Sequence, residues 1–170
     1  MKLGLLYKIF LSSALIIGLS SCGIYSFTGA SIPPEVKTIS IQYFDNQAPL
    51  VQPTLSQTLT DALKDRFLQQ TSLNIVNGRG DLNIEGTIIN YNTQPVAIQA
   101  DDKAALNRLT ITIKVSFNNE FNEKQNFETN FSRYEDYDSK LSLSSVEENL
   151  IKLISEALVE DIFNKAVVNW

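Results

Sequence analysis

Few residues in this chain could do chemistry. Its one cysteine, Cys22, sits in the stretch Leu19-Ser20-Ser21-Cys22-Gly23, and the chain has no histidine at all. A lone cysteine can be a buried hydrophobe, a catalytic thiol, half of an intermolecular disulfide or a lipid attachment point. Without histidine no Cys–His nucleophile can be built, and the commonest base and metal ligand is missing. One cysteine also excludes an internal disulfide and a multi-cysteine metal site. The acids Glu135, Asp136 and Asp138 form one cluster, and Asp101 and Asp102 form another. Close carboxylates can do acid–base work or bind calcium. Neither cluster has the glycine and distal glutamate of a calcium loop, and both read as solvated turns. There is no phosphate-binding glycine loop and no serine in a nucleophile elbow. An enzyme, a cofactor and a metal are therefore not expected. The one catalytic reading left is a hydrolase using Glu135, Asp136 or Asp138. Lys103, Arg108 and Lys114 are interleaved with threonines. They read either as solubilising charges or as contacts for an anionic lipid headgroup. Trp170 reads as a partner contact or as a cap over a helix end.

What precedes Cys22 decides how to read it. Residues 1–8 carry Lys2 and Lys8 and no acid, and Ile9 to Leu19 then runs apolar, interrupted only by Ser12 and Ser13. As a helix these eleven residues would span about 16 Å, against roughly 30 Å of bilayer core. The layout is that of a secretory signal rather than a membrane span. Leu19-Ser20-Ser21-Cys22 resembles the lipobox of bacterial lipoproteins. The resemblance implies cleavage between Ser21 and Cys22, a diacylglycerol on the Cys22 thiol, and an amine open to a further acyl chain. Two or three chains would anchor the protein stably where one would not. Gly23 in place of aspartate implies sorting to the outer membrane, on its periplasmic side.

The leader, 1–21, holds two of the 14 basic residues and none of the 19 acids, so the mature chain would carry a net −7 in place of −5. Such a domain is a poor general binder of polyanions, and nucleic acid is not an expected partner. Residues 22–35 read as a lipidated tether, broken by Gly29 and Pro33-Pro34. Residues 36–170 suit one domain.

Within that domain, 36–44 alternates with Ile39, Ile41 and Tyr43 on one face and predicts a strand. Residues 45–53 read as a loop. A helix is expected from Thr54, capped with Gln57, with Leu55, Leu59, Ala62, Leu63 and Phe67 as its apolar stripe. Turns at Asn77-Gly78 and Gly80 separate two strands, and on the second Leu82, Ile84 and Ile88 share a face with Gly86. Ile89 and Tyr91 take the other face, which predicts a bulge or two-sided burial. In 107–117, Leu109, Ile111, Ile113, Val115 and Phe117 point one way and Arg108, Thr110, Thr112, Lys114 and Ser116 the other. That is a half-buried antiparallel strand. Residues 126–134 return with Phe127, Thr129 and Phe131 inward. A last helix has Ser144 and Glu147 as its capping box and Val146, Leu150, Leu153, Ile154, Ala157, Leu158 and Ile162 as its stripe. The fold class expected is α+β: two amphipathic helices on one face of a small mixed sheet of about four strands.

The stretches "CGIYSFTGASIPPEVKTISIQYFDNQAPLVQPTLSQTLTDALKDRF", "GDLNIEG", "NRLTITIKVSF" and the ending from "VEENLI" to "LVEDIFNKAVVNW" resemble the lipopolysaccharide-assembly lipoprotein family, LptE. The resemblance covers nearly the whole mature chain. It implies a non-enzymatic subunit that plugs and helps assemble the outer-membrane lipopolysaccharide translocon barrel, LptD, with lipopolysaccharide as a second ligand. It places the chain at the outer membrane, lipid-anchored, on the periplasmic side or in the barrel lumen. Family members contact lipopolysaccharide through basic residues. No such motif can be placed on this acidic chain, and of the family's functional residues only Cys22 carries over. The alternative is another outer-membrane lipoprotein module facing the periplasm, a secretion-channel component or an enzyme activator.

Overall fold

The computed structural model describes residues 32–96 and 105–168. The leader, Cys22, the tether as far as Ser31, the acids Asp101 and Asp102, Lys103 and Trp170 lie outside the described residues. The strands are β1 (Thr38–Ile41), β2 (Asp45–Asn46), β3 (Asn74–Ile75), β4 (Leu82–Val96), β5 (Leu106–Asn119) and β6 (Phe127–Asp138). The helices are α1 (Leu55–Gln70) and α2 (Leu143–Phe163), and α2 runs on into a π-helical turn, Asn164–Val168. The sheet order is β3-β1-β4-β5-β6, with β2 also paired to β4. The class is α+β, as expected, but the sheet has six strands rather than about four. β3 is the short strand expected before the Asn77-Gly78 turn, and β2 is a two-residue segment where a loop was expected.

Half of this sheet is long and antiparallel. β4, β5 and β6 form a meander in which β5 pairs along its whole length with β4 and from Leu106 to Phe117 with β6. The other half is short and parallel: β1 and β2 lie beside β4, and β3 lies beside β1. The expected strand 36–44 is thus interrupted. Its first part pairs with β4 at Leu82–Ile84, and pairing resumes at Asp45, which was expected in a loop. In the break Phe44 turns fully into the core and Tyr43 is left 58% exposed, the reverse of simple alternation. The Phe44 N–H donates to Thr60 Oγ1 of α1 at 3.1 Å, which fixes the turn.

The room for Phe44 comes from Gly86 on β4, where an added Cβ would overlap the Phe44 ring. A second close approach, at Gly80, explains another departure. The connection from β3 to β4 crosses β1, and a Cβ at Gly80 would lie 2.9 Å from Ser40 N. That crossing buries Ser40, which faces away from Ile39 and Ile41. Asp81 then clasps the start of β1, its Oδ2 accepting from Lys37 N at 2.8 Å and Thr38 N at 2.9 Å.

Both helices lie on one face. α1 buries Leu55, Leu59, Leu63 and Phe67, and α2 buries Leu150, Ile151, Ile154, Leu158, Val159, Ile162 and Phe163. Each fully buried side chain of this size is worth about 1.5–3 kcal/mol. The α2 stripe is rotated from the expected one, since Leu153 is exposed while Ile151, Val159 and Phe163 are buried. The rotation turns Phe163 onto Phe67, edge to face at 5.1 Å, beneath an Arg66–Glu160 ion pair that also joins the helices.

The bulge expected near Ile89 is present as a register shift between Ile88 and Asn90. It returns Tyr91 to the core face, where its hydroxyl donates to Glu147 Oε1 at 2.5 Å. Burial first, then that bond, push the Tyr91 pKa far above its ordinary value, so the hydroxyl stays protonated and donating. Glu147 is therefore committed to the sheet and does not close the expected capping box with Ser144. At α1 the Thr54–Gln57 box is likewise absent. Gln52 Oε1 accepts from Thr54 N at 2.7 Å and Leu55 N at 3.0 Å instead, and Gln57 donates to Asp61.

The Phe44–Gly86 fit sets a measurable expectation. Gly86→Ala should lower the unfolding free energy by about 1–3 kcal/mol, because the core cannot take the methyl without moving the ring. In a Phe44→Leu background the same change should cost clearly less. Urea denaturation of the four proteins reads this coupling, and equal costs in both backgrounds would sink it.

Candidate functional site

The helices cover one face of the sheet and leave the other open. Alternation along β5 sets what that face presents. Leu109, Ile111, Ile113, Val115 and Phe117 point to the helices, and Arg108, Thr110, Thr112, Lys114 and Ser116 point away, as the sequence pattern requires. The registers place Gln94, Arg108 and Asp136 in one cross-strand row. The rows below it are Asn92–Thr110–Tyr134, Asn90–Thr112–Ser132 and Thr87–Lys114–Asn130.

Arg108 and Lys114 stand on the open face as expected, but neither is a free cation. The Arg108 guanidinium forks onto Asp136, with Nε at 2.7 Å from Oδ1 and Nη2 at 2.9 Å from Oδ2. Its Cζ also lies 3.6 Å from the centroid of the Tyr134 ring. Lys114 Nζ is 2.7 Å from Glu128 Oε1. The hydrogen bond from Arg108 holds the Asp136 carboxyl below the usual carboxylate range, and Asp136 in turn raises Arg108. Lys103 lies outside the described residues, so the expected trio is described only as a pair.

The acid cluster does not converge. Residues 135–138 belong to β6 rather than to a turn, so alternation sends Asp136 to the open face and Glu135 to the helix side. Asp138 accepts from Lys140 N at 2.9 Å and closes the turn into α2. On the helix side, Arg133 binds Asp161 with contacts of 2.6 and 2.5 Å, tying β6 to α2. Among the described residues no three of His, Cys, Asp and Glu gather as a metal ion would require.

Tyr134 was not singled out in the sequence, although it and Asp136 complete the Arg108 group. The signal was there. Had the last strand been extended to Asp138, antiparallel pairing would have set Asp136 opposite Arg108.

The family model for LptE, lipopolysaccharide-assembly, matches residues 36–166. The chain belongs to the LptE family. LptE proteins are non-enzymatic lipoproteins of the cell envelope that take part in lipopolysaccharide assembly with the transport machinery. No curated protein matches the chain. Among solved structures, a hypothetical protein of Chlamydia trachomatis superposes with a TM-score of 0.53 at 7% identity, covering 79% of this chain and 98% of that one. A Xanthomonas campestris protein gives 0.53 at 9% identity, covering 82% and 90%. A minor lipoprotein of Acinetobacter baumannii gives 0.49 at 14% identity, covering 77% and 92%. At these identities the first two likenesses show the fold alone. In this LptE chain no helix among the described residues is long and apolar enough to cross a membrane.

The Arg108–Asp136 pair has a defined pH signature. Because the folded carboxyl titrates below its unfolded value, the pair stabilises the fold above the ordinary carboxylate range. That stabilisation is lost as pH falls through the lowered folded value. Asp136→Asn should therefore melt slightly below the parent at neutral pH. The gap should shrink below about pH 4. Thermal melts across pH test this, and a gap that persists unchanged in acid would show that the carboxylate charge is not its source.

Proposed function

We propose that this LptE chain is the lipid-anchored partner of the outer-membrane lipopolysaccharide translocon barrel, LptD, serving it as plug and assembly factor. The observation that carries the reading is the family match over 36–166, nearly all of the described domain. An electrically acidic domain with its apolar residues gathered between sheet and helices supports a role as a structural subunit. Cys22 takes the diacylglycerol after cleavage at Ser21, and its amine is open to a further acyl chain. The anchor holds the domain at the outer membrane, on the periplasmic side or in the barrel lumen. Lipopolysaccharide contact is assigned to the open face of the sheet, where Arg108 and Lys114 stand. Each is already offset by an acid, so their pull on phosphate is small.

Two measurements test this reading. Affinity capture of the mature protein from outer membranes should bring down one large β-barrel, identified by mass spectrometry as the lipopolysaccharide translocon. Repeated capture without any such barrel would end the plug reading. Separately, Cys22→Ser should block lipidation and cleavage and leave a precursor still carrying its 21-residue leader. Normal processing and membrane attachment in that variant would refute the anchor.

A further inference from the structure

With Arg108 held by Asp136 and Lys114 by Glu128, the middle of the open face carries little free charge. What remains is an array of neutral donors and acceptors. Asn90, Thr112 and Ser132 form one cross-strand row, and Asn92, Thr110 and Tyr134 the next. Apart from the Thr112–Ser132 hydroxyl contact at 2.9 Å, these side chains have no hydrogen-bond partner among the described residues. A hydroxyl offers one donor and two lone pairs, and a carboxamide offers two donors and two lone pairs. An anion asks for donors only, whereas a polyhydroxylated ligand uses both.

Tyr134 adds a flat apolar surface to this array. It is 52% exposed, and the Arg108 guanidinium covers part of its ring. Because Asp136 grips that guanidinium at two points, the stack is held in place before any ligand arrives. Neighbouring strands lie about 4.8 Å apart, so one pyranose ring spans about one strand-to-strand step. A chain of sugars laid across β4, β5 and β6 would meet an amide, a hydroxyl and an aromatic ring in turn.

We infer that the open face takes the neutral oligosaccharide part of the glycolipid rather than its phosphates, with Tyr134 as the stacking platform and Asn90, Asn92 and Thr110 as hydrogen-bonding partners. This rests on the lipopolysaccharide contact proposed above, and it changes what that contact recognises. Binding by a few solvated hydrogen bonds and one ring is weak and insensitive to salt.

The test is an NMR titration of the full mature chain with phosphate-free oligosaccharide, released from lipopolysaccharide by acid and then dephosphorylated. Intact lipopolysaccharide and inorganic phosphate serve as parallel arms. The oligosaccharide should shift the amide signals of Asn90, Asn92, Thr110, Ser132 and Tyr134, with the same Kd in low and high salt. Tyr134→Ala should raise that Kd by about fivefold, the worth of one aromatic contact, and leave the thermal midpoint in place. If Tyr134→Ala disturbs the sheet, Asn92→Ala at an exposed position carries the same expectation of weakened binding. Intact lipopolysaccharide binding this face while the oligosaccharide does not would overturn the sugar reading and leave the lipopolysaccharide contact standing. Silence from both would overturn both. Oligosaccharide shifts elsewhere on the domain, or phosphate alone reproducing the pattern in a salt-sensitive way, would also overturn the inference.

Discussion

Leu109, Ile111, Ile113, Val115 and Phe117 are almost completely shielded from water, and all five lie on one side of a single strand. A slip of one residue in the pairing of β5 would send every one of them to solvent. That cost pins the register of β4 on one side and β6 on the other. It also decides, without further instruction, which side chains can meet on the opposite face. Asp136 reaches Arg108, and Glu128 reaches Lys114, because the alternation of β5 fixes which side chains share the open face and the connections between strands set the register within it. The core and the outer surface of this domain are two readings of one constraint.

The same constraint reconciles an acidic chain with a face whose middle carries little free charge. Acids outnumber bases over the whole sequence, 19 to 14. Yet the two cations of β5 are matched one for one by acids of β6, and the two rows between them are hydroxyls and amides. Excess acid lies at Asp61, Asp65, Glu148 and Glu156 on the helices, for example, and at Glu85 beyond Lys114 on the open face. The family match assigns the chain to lipopolysaccharide assembly, and the geometry says that a charge-led contact with phosphate would meet cations already offset by acids.

Much of this was legible in the sequence. The two-faced pattern of 107–117, the stripe of α1 and the bulge beyond Ile88 follow from side-chain periodicity, which burial enforces. The misses share a cause: each depended on a distant contact. Phe44 departs from alternation because Gly86 makes room for it. Ser40 is buried because a later loop crosses it. Glu147 leaves its own helix end because Tyr91 needs an acceptor. The α2 stripe turns because Phe163 meets Phe67 on the other helix. At the candidate site, the cations were readable as face residues. The Arg108–Asp136 pair was not, because it required the last strand to run four residues further, to Asp138.

The two halves of the sheet differ in how far apart their pairing residues lie along the chain. β4, β5 and β6 are joined by hairpins, so each strand closes on its immediate neighbour. The parallel side must bring Ile39 to Leu82 across the whole of α1. Contacts that are local in sequence form sooner, since less chain entropy is lost in closing them. The meander can therefore assemble as a unit, with β1, β3 and α1 arriving later as a seal over its unfinished flank. Phe44, seated in the space at Gly86, is where that non-local flank locks onto the meander, so a contact that spans all of α1 is also one with little room to adjust.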